Sequence, residues 1–291
     1  MKHFRNAADW VGLVLLLAIS AGCSQMKTGP EQVRAEDGVK VAYDVRGSGK
    51  PALVFIHCWC CNREFWKHQL DVFADDYRVV AIDLPGHGES GAEREEWSIA
   101  GLGADVKTVV DHLRLRRMIL IGHSMGGPVA LEAARLMPGR VLGIVAVDTL
   151  HDADFEYPEG MAEQWASQME TDFEGMMDGA VNSMFPKGAD PRQMEWVKAQ
   201  ALQTDRTAAV ALLRDFPNFD MKDSLRTAGA PVRAIFAVPW GPGSAQPNIE
   251  ANRKYADFEA VSIDGVGHYL QLEKPEEFND QLRVFVEALA G

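Results

Sequence analysis

Residues 119–127 read Ile119-Leu120-Ile121-Gly122-His123-Ser124-Met125-Gly126-Gly127, and a run of mostly small, apolar residues follows over 128–136. The β-branched start predicts a buried strand. The stretch from Pro128 predicts a helix, whose first turn tolerates proline because an N–H there has no intrahelical partner. Between them the pattern Gly122-x-Ser124-x-Gly126 predicts a turn sharp enough to lift the serine hydroxyl above the end of the strand. Ser124 then stands at a helix N-terminus, where unpaired backbone N–H groups and the helix dipole favour a developing negative charge. A serine so placed is a candidate nucleophile.

Apolar strands and helical periods alternate on both sides of this turn. Residues 33–46 alternate in polarity and turn at Asp37-Gly38, which is a hairpin signal. Residues 51–56 form an apolar run ending at His57, and 77–82 form another, ending at Asp83 and followed by the breaker-rich Leu84-Pro85-Gly86-His87-Gly88-Glu89-Ser90. The amphipathic stretch 100–113 leads into the serine turn; 141–147, 231–238 and 258–263 predict further strands, and 275–289 a closing helix. This alternation predicts an α/β protein with a mostly parallel, doubly wound sheet covered on both faces. Residues 151–228 interrupt it with helical periods, so they are expected to form a helical cap inserted between two core parts, 33–150 and 229–291.

The start of the chain has a different character. Lys2 and Arg5 precede an apolar run over 11–19, and Ser20-Ala21-Gly22 precede Cys23. The run is too short to span a bilayer and has the form of an export signal over residues 1–22. Small residues directly before a cysteine resemble the lipobox of bacterial lipoproteins. That resemblance implies cleavage before Cys23, lipidation of its thiol and, because Ser24 follows, a place on the periplasmic side of the outer membrane. Residues 23–32 are polar and breaker-rich and are expected to act as a tether. About 269 residues remain beyond the signal, enough for one large domain with an insertion. The net charge of −13 argues against nucleic acid and anionic headgroups as partners, so membrane attachment is assigned to the lipid on Cys23.

Cys58, Cys60 and Cys61 lie within four positions. Spacing this tight disfavours an unstrained mutual disulfide and lacks the second pair of a structural zinc site. The three are therefore read as buried small residues shaping a loop, and neither a metal nor a cofactor is expected.

The strand into His57, the turn from Asp83 to Ser90, the Gly122 to Gly126 turn, and Gly265-Val266-Gly267-His268 before the last helix together resemble the α/β-hydrolase-fold family over nearly all of the mature length. The resemblance implies a nucleophile at Ser124 and a general base at His268, with an oxyanion hole built from the backbone N–H groups of Met125 and of Trp59, two residues past His57. Relatives usually carry glycine where this chain has Cys58. The usual acid position is empty, since strand 231–238 runs into Pro239-Trp240-Gly241-Pro242-Gly243. Asp148, 24 residues after Ser124, matches the position from which haloalkane dehalogenases and some lipases supply their acid, and is favoured over Asp152 and Glu250.

The expected activity is that of a serine carboxylesterase on apolar to weakly polar esters or lactones. A C–C hydrolase or a cofactor-free perhydrolase would use the same triad. Dehalogenase and epoxide hydrolase chemistry would need a carboxylate where Ser124 stands. From another class, a catalytically weak ligand-binding lipoprotein could reuse the fold, against which the intact Ser124 and His268 weigh. The inserted stretch carries fifteen acidic against seven basic residues and should disfavour strongly anionic substrates. Its Met161, Met169, Met176, Met177, Met184 and Met194 suit either an adaptable apolar pocket or the core of a small helical layer.

Overall fold

The computed structural model describes residues 30–238 and 247–291. Its strands are β1 (Glu31–Arg34), β2 (Lys40–Arg46), β3 (Ala52–Ile56), β4 (Arg78–Ile82), β5 (Met118–His123), β6 (Val141–Val147), β7 (Val232–Val238) and β8 (Phe258–Asp264). They form one sheet in the order β1-β2-β4-β3-β5-β6-β7-β8, antiparallel at β1-β2 and β2-β4 and parallel in every later pair. The expected doubly wound sheet is therefore present. β1 begins at Glu31, inside the stretch read as tether, because Glu31 already pairs with Tyr43. The export signal, Cys23 and residues 239–246 lie outside the described residues.

Alternation along the buried strands sends side chains to two separate cores. Val54, Ile56, Val80, Ile82 and Leu120 face α2 (Ile99–His112) and α3 (Gly126–Arg135), while Leu53, Phe55, Val79, Ile119 and Ile121 face α1 (Lys67–Ala74) and the C-terminal helix. β3 is the hinge of the topology, pairing with β4 on one side and β5 on the other. In open α/β sheets a crevice for ligands forms at such a switch, off the carboxyl ends of the strands.

Five helices stand between β6 and β7: α4 (Met161–Thr171), α5 (Phe173–Met184), α6 (Pro191–Ala201), α7 (Arg206–Asp215) and α8 (Met221–Thr227). Asp172, Asp190, Asp205 and Asp220 each cap one of α5 to α8, their side chains accepting from a first-turn N–H. A cap of this kind contributes about 1 kcal/mol. Arg214 pairs with Glu163 and Glu170, and Lys198 with Asp178. Much of the acidic excess of this stretch is thus spent on helix starts and surface pairs. Met169 and Met177 are buried with Phe173, Val197 and Phe65, while Met176, Met184 and Met194 pack at the edge of that cluster. The remaining helices are α9 (Ile249–Arg253), α10 (Leu270–Glu273) and α11 (Pro275–Ala290), the last packing on the α1 face of the sheet.

One expectation is corrected. All three clustered cysteines are buried, but Cys58 and Cys61 are joined by a disulfide, leaving Cys60 free. Cys60 sits in the left-handed region at φ 55°, and the Cys61 N–H donates to the Cys58 carbonyl at 3.2 Å, so the loop folds back on itself. That brings the two Cα atoms to 5.2 Å, within ordinary disulfide reach. Spacing in sequence missed the turn that makes the pairing feasible.

Candidate active site

Ser124 occupies the turn between β5 and α3 at φ 51°, a conformation that costs a non-glycine residue on the order of 1–3 kcal/mol. Two close approaches hold it there. A Cβ on Gly122 would lie 2.1 Å from the Gly126 carbonyl oxygen, and one on Gly126 would lie 2.4 Å from that of Ile56. The Ser124 N–H donates to the Val147 carbonyl at 3.0 Å, tying the turn to the end of β6. No side chain caps α3, and the Met125 N–H finds no acceptor among the described residues. An uncapped helix start beside a raised hydroxyl is suited to receive negative charge.

Asp148 ends β6, also in the left-handed region, and His268 lies in the loop between β8 and α10. The two side chains meet, with His268 Nδ1 2.6 Å from Asp148 Oδ2. The other carboxylate oxygen accepts from the Ala237 N–H at 3.0 Å and lies 3.3 Å from Nε2 of His151. Burial raises the pKa of Asp148, but hydrogen bonds from His151 and His268 outweigh it and hold the carboxyl well below the usual carboxylate range. An ionised carboxylate can only accept, so His268 Nδ1 carries a proton, which in the neutral imidazole leaves Nε2 with the lone pair.

His268 is positioned from three sides. Its N–H donates to the Met184 carbonyl at 2.8 Å, at the end of α5. Its carbonyl accepts from His123 Nε2 at 2.8 Å, so the residue before Ser124 supports the loop that bears the imidazole. Glu273 accepts from the N–H groups on either side, Gly267 at 3.0 Å and Tyr269 at 3.2 Å. Ser124 Oγ itself makes no hydrogen bond to His268 among the described residues. In unliganded sites such contacts are often long and tighten only with substrate.

Asp152 and Glu250 are not brought to His268. Asp152 accepts from Asn248 at 3.3 Å, and the exposed Glu250 pairs with Arg253 at 2.6 Å. His123, His151 and Glu273 were not singled out in the sequence. A histidine ending a buried apolar strand was the available signal for the first; nothing local marked the other two.

The loop after β3 lies across from the serine turn. His57 is fully buried, its Nδ1 2.7 Å from the Cys58 carbonyl and its Nε2 accepting from the Leu84 N–H at 2.9 Å. It ties the ends of β3 and β4 together. The Trp59 indole donates to the Ala209 carbonyl on α7 at 3.0 Å, while its backbone N–H finds no acceptor among the described residues. Arg63 packs against the buried Asp83, whose carboxylate also accepts from the Arg63 and Glu89 N–H groups at 2.7 and 2.8 Å. This network fixes the turn after β4 against the same loop. Among the described residues no three His, Cys, Asp or Glu side chains converge as a metal set.

Residues 53–281 match the model of the alpha/beta hydrolase family. The chain belongs to that family. Over 280 residues it is 28% identical to the dihydrolipoyllysine-residue acetyltransferase component of the acetoin cleaving system of Pseudomonas putida, covering 92% of this chain and 72% of that protein. It spans less than half the length of the next curated relatives it matches. Among solved structures, a thermophilic esterase from Thermogutta terrifontis superposes with a TM-score of 0.77 at 22% identity, covering 90% of this chain and 100% of that one. An N-acyl homoserine lactone degrading enzyme superposes with a TM-score of 0.74 at 28% identity, covering 88% and 100%. Within this hydrolase, the Ser124 turn, Asp148 and His268 all lie at the carboxyl ends of β5, β6 and β8, where an α/β fold gathers its chemistry.

Proposed function

We propose that this hydrolase is a serine esterase that cleaves apolar to weakly polar carboxylic esters and lactones through an acyl-enzyme. The observation that carries the reading is the 2.6 Å contact of His268 Nδ1 with a carboxylate held ionised, beside a serine in a strained turn. Ser124 Oγ attacks the substrate carbonyl as His268 Nε2 takes its proton, and Asp148 stabilises the imidazolium that forms. The Met125 and Trp59 N–H groups face the oxyanion. His268 then protonates the departing alkoxide, and a water activated by the same imidazole hydrolyses the acyl-enzyme. Helices α4 to α8 act as the cap over this site.

Lactones are included because the 28%-identical structural relative is described as degrading an N-acyl homoserine lactone. The apolar lining offered by Phe185, Met184 and Tyr269 beside His268 supports an acyl chain rather than a charged group. The experiment is a fluorophosphonate probe with the adduct mapped by mass spectrometry, followed by a panel of esters and lactones of increasing chain length. Labelling at Ser124 with turnover of esters or lactones is expected. An unlabelled, inert protein would instead be the ligand-binding lipoprotein.

The Ser20-Ala21-Gly22-Cys23 sequence supports export and anchoring through lipid on Cys23 at the periplasmic side of the outer membrane. Each buried acyl CH₂ contributes about 0.8 kcal/mol to such anchoring. Cys23→Ser protein is expected to leave the membrane fraction on washing in ~1 M salt, which screens attachment by charge alone, with its specific activity intact. Unchanged fractionation would remove the lipid anchor from this reading.

A further inference from the structure

We propose that the end of the sheet opposite the Ser124 turn is a docking surface for anionic lipid headgroups. The surface gathers at the amino ends of the parallel strands. Lys50 precedes β3, Arg78 opens β4, Arg114, Arg116 and Arg117 precede β5, and Arg140 precedes β6. Five of them, all but Arg140, border a single groove of about 440 Å³ together with Ser48, Pro51 and Ala290, and Arg140 borders an adjoining one. Lys50, Arg114, Arg116 and Arg117 are exposed and have no carboxylate within ion-pair distance among the described residues. Of the acids nearby, Asp111 is engaged by Lys107 and Arg140 and Asp76 by Arg283, leaving Glu287 on the last helix without an ion pair among the described residues. In a chain of net charge −13 this concentration of free cations is the reverse of the average. Net charge therefore misjudges this face, because exposed charges interact over about 8 Å at physiological ionic strength.

The direction of β1 points to a membrane as the occupant. Glu31 pairs with Tyr43 and Tyr43 with Ile82, so the register places Glu31 level with the carboxyl end of β4. Traced backwards, β1 heads from there toward Arg78, the end that carries the groove. The eight residues from Cys23 to Pro30 reach at most about 29 Å even when fully extended. Here the argument rests on the proposed lipid anchor: an anchor at Cys23 holds the basic end near the bilayer and turns the Ser124 end away from it, toward soluble substrate. Juxtamembrane arginines and lysines interact with anionic headgroups with about a fivefold gain in affinity per residue.

The test uses the chain from Ser24 onward, which holds every described element and lacks the lipid, so its outcome is separate from that of the Cys23→Ser experiment. It is expected to co-sediment with vesicles of phosphatidylglycerol and phosphatidylcholine but not with phosphatidylcholine alone. Salt near ~1 M, where screening shortens the range of such attraction to about 3 Å, should release it. The triple variant Arg114→Gln, Arg116→Gln, Arg117→Gln should bind about a hundredfold more weakly and hydrolyse a soluble ester at the parent rate. Equal partitioning onto both vesicle types, or undiminished binding by the triple variant, overturns the proposal.

Discussion

At Ser124 stability and function are opposed in one backbone angle. The left-handed φ of 51° is costly for serine and free for glycine. Ser124→Gly should therefore raise the unfolding free energy by about 1 kcal/mol and the melting temperature by roughly 2–4 °C, while abolishing probe labelling. A melting temperature at or below that of the parent, measured by circular dichroism, would show that the turn stores no strain. Asp148 is the second residue whose role can be isolated. Removing its charge frees the imidazole to take the wrong tautomer, which in comparable triads costs about 10⁴ in turnover. Asp148→Asn is expected to be folded and impaired to about that extent. Asp152→Asn and Glu250→Gln, which contact Asn248 and Arg253 instead of His268, should stay within about tenfold of the parent, a barrier change of no more than roughly 1.4 kcal/mol. Loss of activity in Glu250→Gln with retention in Asp148→Asn would move the acid to the later strand.

Between elements, the site depends on how α5 meets the loop after β8. A Cβ on Gly267 would lie 2.2 Å from the Met184 carbonyl oxygen, the same atom that accepts from the His268 N–H. Gly267→Ala must push α5 and the imidazole apart, and a displacement near 1 Å costs on the order of 10²-fold in rate. The expected result is a fall in kcat of that size with the fold retained; an unchanged kcat would mean that the loop is held by Glu273 alone. None of this was legible in the sequence, where Gly267 read only as one of the turn residues before a histidine. The cysteine loop was likewise opaque, because whether Cys58 can reach Cys61 depends on the left-handed Cys60 between them, and no pattern of residue types specifies that angle. The serine turn was readable for the opposite reason: its glycines are demanded by contacts within a few residues, so local sequence carries the constraint. The loop closed by the disulfide contains Trp59, so reduction should loosen the amide proposed to face the oxyanion. Gentle reduction, verified by alkylation of Cys58 and Cys61, is expected to lower kcat more than it changes KM; full activity with both thiols alkylated would detach the disulfide from the chemistry.

For the molecule as a whole, the sheet was foreseeable because its strands are apolar on both faces and separated by amphipathic helices, a pattern that only a covered parallel sheet satisfies. The functions of its buried polar groups were not, since burial is a property of the assembled layers. Three histidines show the consequence. Burial lowers the pKa of His57 to about 4 and those of His87 and His123 to about 3, against 6.5 when unperturbed. Well above pH 6.5 all three are neutral in both states and contribute no pH dependence. As the pH falls from 6.5 toward 4, the unfolded chain takes up protons that the folded chain refuses, so stability is lost at up to about 1.4 kcal/mol per pH unit for each histidine. The carboxyls of Asp83, Asp105 and Glu273, raised by burial, act in the opposite sense as the pH falls through their raised values. Asp148, held low by its two histidines, adds to the loss below its ordinary pKa of 3.8. Against a total stability of about 5–15 kcal/mol these terms are large. The melting temperature should be level above pH 7 and fall between pH 6.5 and 5 as the three histidines' contribution is lost. A melting temperature that stays constant from pH 7 to 5 would require these histidines to be hydrated, contrary to their burial beneath the site.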